Sequence, residues 1–255
     1  MLTPREALEA ALARTPDDVA LHMAYADCLI EEGDPRGEWI RLCLEKERPG
    51  LSAAEKRVTE NAIRRLRAAH GNSWLGAFDI YPVYPTHGAQ YEQPELLIRW
   101  KRGWIRSFQA SGYNRQVMDE LAAHPFTKLM HRLYIHLTFY SIHPVPGERC
   151  IDFAFLRSLP FPVLSEFDIT DTAFDDAAVE HLIAAPYFPK LRKLNMSYCH
   201  ITDDGARMLA AHLHTPKLES LRLEQNLISP LGIAALAEVG VKVSEFQRFG
   251  RLEDV

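Results

Sequence analysis

The chain has 255 residues, 47% hydrophobic and 25% charged, with 13 Gly and 16 Pro. That composition excludes a collagen-like, wholly disordered or disulfide-dense polypeptide and leaves room for one large domain or two modest ones. Its 29 Lys and Arg against 34 Asp and Glu give a formal charge of -5, which argues against non-specific binding to nucleic acid or to an anionic membrane. Cys28, Cys43, Cys150 and Cys199 have neither a CxxC pair nor metal-ligand spacing. They read as buried thiols of a reducing compartment, with two disulfides as the open alternative. No stretch approaches the roughly 18 apolar residues of a membrane span. The first residues are acidic and lack a signal-peptide apolar core, so a cytoplasmic protein with no membrane partner is expected.

Four amphipathic helices are predicted first. Thr3, Pro4 and Glu6 form a helix start, Leu8, Ala11 and Leu12 share a face, and Pro16 ends the segment. Asp17 or Asp18 caps a second helix carrying Tyr25, Cys28 and Leu29, closed by Gly33. Asp34 caps the third, whose apolar side is Trp39, Leu42 and Cys43, until Pro49 and Gly50 interrupt it. Ser52 and Glu55 then open a fourth helix reaching to the vicinity of Ala69, with Val58, Ala62, Ile63 and Leu66 turned inward. Tyr25, Leu29, Trp39 and Leu42 are the expected core of this bundle. The run EKRVTENAIRRLR offers a basic docking face, although Glu55 and Glu60 within it suit an ordinary solvated surface.

The stretch YADCLIEEGDPRGEWIRL, Tyr25 to Leu42, resembles the repeat-companion domain found at the N-terminus of many proteins of large bacterial paralogous families. The likeness extends over about Leu2 to Leu44 and departs at Cys28, Ile30 and Trp39, where the family usually has Trp, Glu and Phe. It implies a fused repeat domain downstream and no catalytic chemistry. The same stretch supplies the carboxylates of a competing hydrolase reading, Asp27, Glu31 and Glu38, with Arg36 and Arg41 as anion clamps. Such a site needs its carboxylates to converge in a pocket. Capping by Asp34, and ion pairing of Glu38 with Arg36 or Arg41, explain these residues without chemistry.

Residues 72–93 read as a packed connector. ELLIRW, the turn Lys101-Arg102-Gly103 and WIRSF then form a β-hairpin which, with Trp74, covers the open end of the following sheet. Beyond it, LSEFDITDTAF, LRKLNMSYCHI and LESLRLEQNLI recur with Leu164, Leu191 and Leu218 in register, a period of 27 residues that fits the leucine-rich pattern. Thr172, Cys199 and Asn226 occupy the position whose side chain bonds turn backbone. Each copy leads into a capped helix. Two degenerate copies precede these, IRSFQAS with QVMDELAAH, and Leu129, Leu133 and Ile135 with an insertion and a long loop; VSEFQRF is a candidate final strand. The fold class is thus α/β, a leucine-rich-repeat solenoid with a parallel sheet of five or six strands behind a small helical domain. The expected division is 1–70 helical, 71–103 connector and capping hairpin, and 104–255 repeats.

Strand alternation turns one set of residues outward. The expected rows are Glu166, Lys193 and Ser220; Asp168, Asn195 and Arg222; Thr170, Ser197 and Glu224; and Asp171, Tyr198 and Gln225, extended by Tyr134, His136, Ser107 and Gln109. This mixed surface suits a protein or peptide partner on the concave face of the repeats. Its carboxylates interrupt any phosphate track, so nucleic acid is not the expected partner. A structural or regulatory protein docking through its helical domain is the alternative. His131, His136, His212 and His214 have no HExxH spacing, and no phosphate loop or nucleophile elbow accompanies them, so no metal, cofactor or enzymatic turnover is expected.

Overall fold

A computed structural model describes residues 2–76, 78, 95–111, 115–136, 152–213 and 218–240. Helices α1 (Pro4–Arg14), α2 (Val19–Glu31), α3 (Arg36–Glu47) and α4 (Ala53–Leu75) come first. Strands β1 (Glu95–Lys101), β2 (Trp104–Ser111), β3 (Arg132–His136), β4 (Glu166–Asp168), β5 (Lys193–Asn195) and β6 (Ser220–Arg222) form one sheet in chain order. β1 and β2 are antiparallel; every later neighbour pair is parallel. Helix α5 (Arg115–Ala123) lies between β2 and β3, α6 (Asp176–Ile183) between β4 and β5, α7 (Asp203–His212) between β5 and β6, and α8 (Pro230–Glu238) follows β6; between β3 and β4 the described residues hold a 3-10 helix, Phe153–Ser158. The architecture is therefore α/β, N-terminal helices followed by a mixed, mostly parallel sheet. The connector from 79, the loop 137–151 with Cys150, His214 and the candidate strand VSEFQRF lie outside the described residues.

Capping chemistry sets the helix starts. Thr3 with Glu6 and Ser52 with Glu55 make reciprocal capping boxes. Asp18 rather than Asp17 caps α2, since it immediately precedes Val19 and accepts from the Leu21 amide at 3.0 Å; Asp17 pairs instead with Lys101 at 2.8 Å. Gly33, at φ 75°, ends α2: its own amide reaches the Ile30 carbonyl at 3.0 Å and the Asp34 amide reaches that of Leu29 at 2.8 Å. The Asp34 carboxylate then accepts from the Arg36 amide at 2.9 Å, so it caps α3 from just outside the helix.

Two expectations for α4 fail. The helix runs on to Leu75, carrying Trp74 into the core. Val58 is 69% exposed while its neighbour Thr59 is buried, bonding back to the Glu55 carbonyl at 3.1 Å. The apolar face of α4 begins with Thr59 and the half-buried Ile63 and Leu66. The helices share cores with the sheet. Trp39 and Trp74 stack at 4.6 Å in the cluster that contains Phe108, Leu133, Phe167 and Leu194. Tyr25 and Leu29 pack with Trp104 from β2 and with Leu129, and Tyr25 stacks on the Trp104 ring at 5.1 Å. The hairpin turn, with Arg102 and Gly103 at positive φ, lies on α3. Arg102 pairs with Glu47 at 2.9 Å, and a Cβ on Gly103 would meet Ile40 at 2.7 Å.

Arg36 departs furthest from expectation. It is fully buried, with its guanidinium 3.7 Å from the Phe126 ring centre and its Nη2 donating to the Tyr25 hydroxyl at 2.6 Å. Tyr25 donates in turn to Glu9 at 2.9 Å, and Glu9 pairs with Lys128 and Arg5. Arg36 is thus neither an anion clamp nor a partner of Glu38. It ties α2 and α3 to the sheet through aromatic faces.

Candidate functional site

The 27-residue spacing becomes strand register. Phe167, Leu194 and Leu221 are direct partners on adjacent strands; Phe167 and Leu194 are buried and Leu221 is half-buried at the last described strand. Their flanking residues point to the other side of the sheet. The first polar row runs Arg132, Glu166, Lys193 and Ser220; the second runs Tyr134, Asp168, Asn195 and Arg222. Ser107 and Gln109 of β2 continue these rows, and His136 begins a third beside Ser111, although Ser107 is itself buried. A shallow depression of about 170 Å³ follows the two rows between β3 and β6.

Charge pairing knits this surface together. Glu166 accepts from Arg132 at 2.8 Å, Lys193 at 3.1 Å and the Tyr134 hydroxyl at 3.3 Å. Asp168 accepts from the Asn195 amide at 2.9 Å and lies 3.9 Å from His136 Nε2. Arg222 reaches Glu224 at 3.4 Å. Lys193, Arg132 and Arg222 are more than 45% exposed, so these pairs add little stability and remain open to exchange for a partner's charges. Partial burial and the Glu166 charge raise the Tyr134 hydroxyl above its ordinary value, keeping it a protonated donor. Burial alone would raise the Glu224 carboxyl, but the hydrogen bond from Ser197, one from its own backbone amide and the nearby Arg222 charge together outweigh it and hold the group below the usual range.

The third expected row, Thr170, Ser197 and Glu224, keeps the register just past the strands, with the Asp171 amide reaching the Ser197 carbonyl at 3.1 Å and the Tyr198 amide the Glu224 carbonyl at 2.8 Å. Asp168 Oδ1 accepts from the Thr170 amide at 3.1 Å, and Asn195 Oδ1 accepts from the Ser197 amide at 3.2 Å, so these side chains brace the start of the turn that follows. Ser197 is 2% exposed and is not presented to solvent. Asp171, Tyr198 and Gln225 share φ values of 58–59°, placing them in left-handed turns beyond the strands rather than in a sheet row. Strict alternation cannot turn both 170 and 171 outward; the turn does so by breaking it. Tyr198 is 49% exposed at this rim. Beneath it, Thr172 and Cys199 donate to the Ile169 carbonyl, and Asn226 donates to Met196 and Leu223 at 2.7 and 3.0 Å.

Arg132 is the site residue absent from the sequence reading. Its register with Glu166 is obscured by the insertion in that degenerate copy, and only the alternation of buried Leu133 and Ile135 could have revealed it. The alternative carboxylates, Asp27, Glu31 and Glu38, are all exposed, on α2 and α3. Among the described residues no group of three or more His, Cys, Asp and Glu could hold a metal. His131 is lowered to about 4 by burial and by Arg106, so it is neutral near pH 7. Cys28, Cys43 and Cys199 are thiols rather than halves of a disulfide, and burial raises Cys43 to about 11. Among the described residues no helix is long and apolar enough to cross a membrane.

The family model for the Leucine Rich repeat matches residues 189–210, which contain β5 and most of α7. A crystal structure of a Bacteroides fragilis protein is similar with a TM-score of 0.46 and 18% identity, over 56% of this chain and 42% of that one. At that level the likeness bears on neither fold nor function, and the match spans less than half of the other protein.

Proposed function

We propose that the chain is a leucine-rich-repeat solenoid behind a repeat-companion domain, and that it binds a protein or peptide through the polar face of β3–β6. The register of the two polar rows carries this reading. Equivalent positions on parallel strands lie about 4.8 Å apart, which suits an extended or helical segment laid across them. The match of the Leucine Rich repeat model to one strand–helix unit supports the repeat assignment, and the recurrence of that unit's register on both sides extends it. Tyr134 and Tyr198 provide amphipathic contact area, while Glu166, Lys193 and Arg222 provide exchangeable charges. On this reading the chain carries out no turnover of its own, and α1–α4 cap the first end of the sheet. The test compares native-lysate partners captured by the wild type and by Lys193→Glu/Arg222→Glu, followed by calorimetry with the purified partner. The double variant is expected to lose at least tenfold in affinity, about 1.4 kcal/mol, with an unchanged circular dichroism spectrum. Unchanged affinity overturns the assignment, and loss of capture confined to a variant of the 1–70 helical surface favours docking through the helices.

A further inference from the structure

A second site lies away from the polar sheet face. Between α3, α4 and β1 is a cavity of about 590 Å³, within the range of roughly 300–1,000 Å³ typical of small-ligand sites. Three of the chain's four tryptophans line it. Trp39 stacks on Trp74 with an interplanar angle of 5°, and Trp100, half-buried on β1, lies 5.2 Å from Trp39. The α4 wall is a single helical face, Glu60, Ile63, Arg64, Arg67 and Ala68, spaced at i, i+3, i+4, i+7 and i+8. Ala68 is small and exposed at the mouth; Trp39 and Trp74 are themselves buried against one another, so the ring surface open to a ligand is that of the half-buried Trp100.

The rim is cationic in a chain whose net charge is -5. Lys46 and Glu60 neutralise one another at 2.8 Å. That leaves Arg64, whose guanidinium meets the neutral Asn61 amide at 3.4 Å, and Arg67 as the cationic pair, one turn apart and both exposed. Guanidinium groups at the edge of a ring-bearing wall match a ligand with a planar apolar body and one anionic group, since the ring takes the apolar body and the exposed arginine fork takes the charge. We propose that this cavity binds a small aromatic anion, a fused-ring carboxylate being the simplest member of the class. The ring lies against Trp100 and the carboxylate is held by Arg64 and Arg67.

The experiment titrates the full chain by calorimetry with 2-naphthoate, 2-naphthylmethanol and 2-naphthylmethylammonium, which share a ring and differ in charge. Naphthoate is expected to bind about tenfold or more tightly than either counterpart. Arg64→Gln/Arg67→Gln should abolish that preference while leaving the alcohol's affinity unchanged. Ala68→Trp, which fills the opening from an exposed position, should weaken all three probes. Lys193→Glu/Arg222→Glu on the sheet should change none of them, separating this site from the polar face. Absence of naphthoate binding, equal affinities for the three probes, or naphthoate affinity unaffected by the arginine substitutions would each overturn the proposal.

Discussion

Two glycines in helices should respond to alanine with opposite signs. Gly71 lies inside α4, and a Cβ there meets nothing within 4 Å. Gly71→Ala therefore gains only the intrinsic helix advantage of alanine, about 1 kcal/mol. Gly205 lies in the first turn of α7, where a Cβ would stand 2.3 Å from Asp176 Oδ1 and 2.8 Å from Ile201 Cγ2. Asp176 accepts there from the Thr202 amide at 2.9 Å and from the Thr202 hydroxyl, joining the start of α6 to that of α7. Displacing the carboxylate forfeits two charge-assisted bonds, and because Asp176 is only half-buried each counts at the lower end, about 1.5 kcal/mol. Set against the helix gain, Gly205→Ala should destabilise by about 2 kcal/mol, so the two variants diverge by about 3 kcal/mol. Urea unfolding followed by far-ultraviolet circular dichroism, at a constant denaturant slope, reads this difference. Shifts of the same sign, or a Gly205→Ala variant as stable as the wild type, would refute the steric argument.

Leu194→Ala should cost about 2–5 kcal/mol through the cavity it leaves, whereas Lys193→Ala next to it should cost under about 1 kcal/mol; the same urea titration distinguishes them. Tyr25→Phe removes the hydroxyl that joins Arg36 to Glu9 inside the core and should destabilise by about 2 kcal/mol, read as a lowered urea midpoint. Asp203, which accepts from the Ser229 amide at 2.7 Å and from its hydroxyl, is held below its ordinary value of 3.8 by the Ser229 side chain. Its stabilisation is therefore present above that value and is lost as the pH falls through the depressed one. The gap in urea midpoint between the wild type and Asp203→Asn should close on acidification from neutral pH to below the depressed value.

Repetition and capping were the legible parts of the fold. A 27-residue period places Phe167, Leu194 and Leu221 in register because parallel strands joined by equivalent helices have no freedom to slip without burying Glu166 or Lys193. Caps at Thr3, Asp18 and Ser52 were legible because each satisfies local amides, a short-range requirement. What stayed hidden depends on distant partners. Arg36 reads as a surface charge until Tyr25, Trp104 and Phe126 surround it. The turn conformation of Tyr198 and Gln225 has no local signature, since neither type favours positive φ. The helix-start ladder from Asp176 to Thr202 and from Asp203 to Ser229 does repeat at 27 residues, with Gly205 and Gly232 beside it. Each of those residues also stands at a helix start, where local capping accounts for it and conceals the link between helices. For the site, alternation identified the rows of Glu166 and Asp168 but could not show that their charges are already paired.

The most direct measurement of the binding claim is site-specific photocrosslinking in native lysate. A benzophenone side chain at Ser220, exposed in the first polar row, is compared with one at Ala211, exposed on α7. A discrete crosslinked species from Ser220, absent from Ala211 and diminished by Lys193→Glu/Arg222→Glu, is the expected result. Crosslinks from Ala211 alone, or a Ser220 adduct indifferent to the charge reversal, would contradict it.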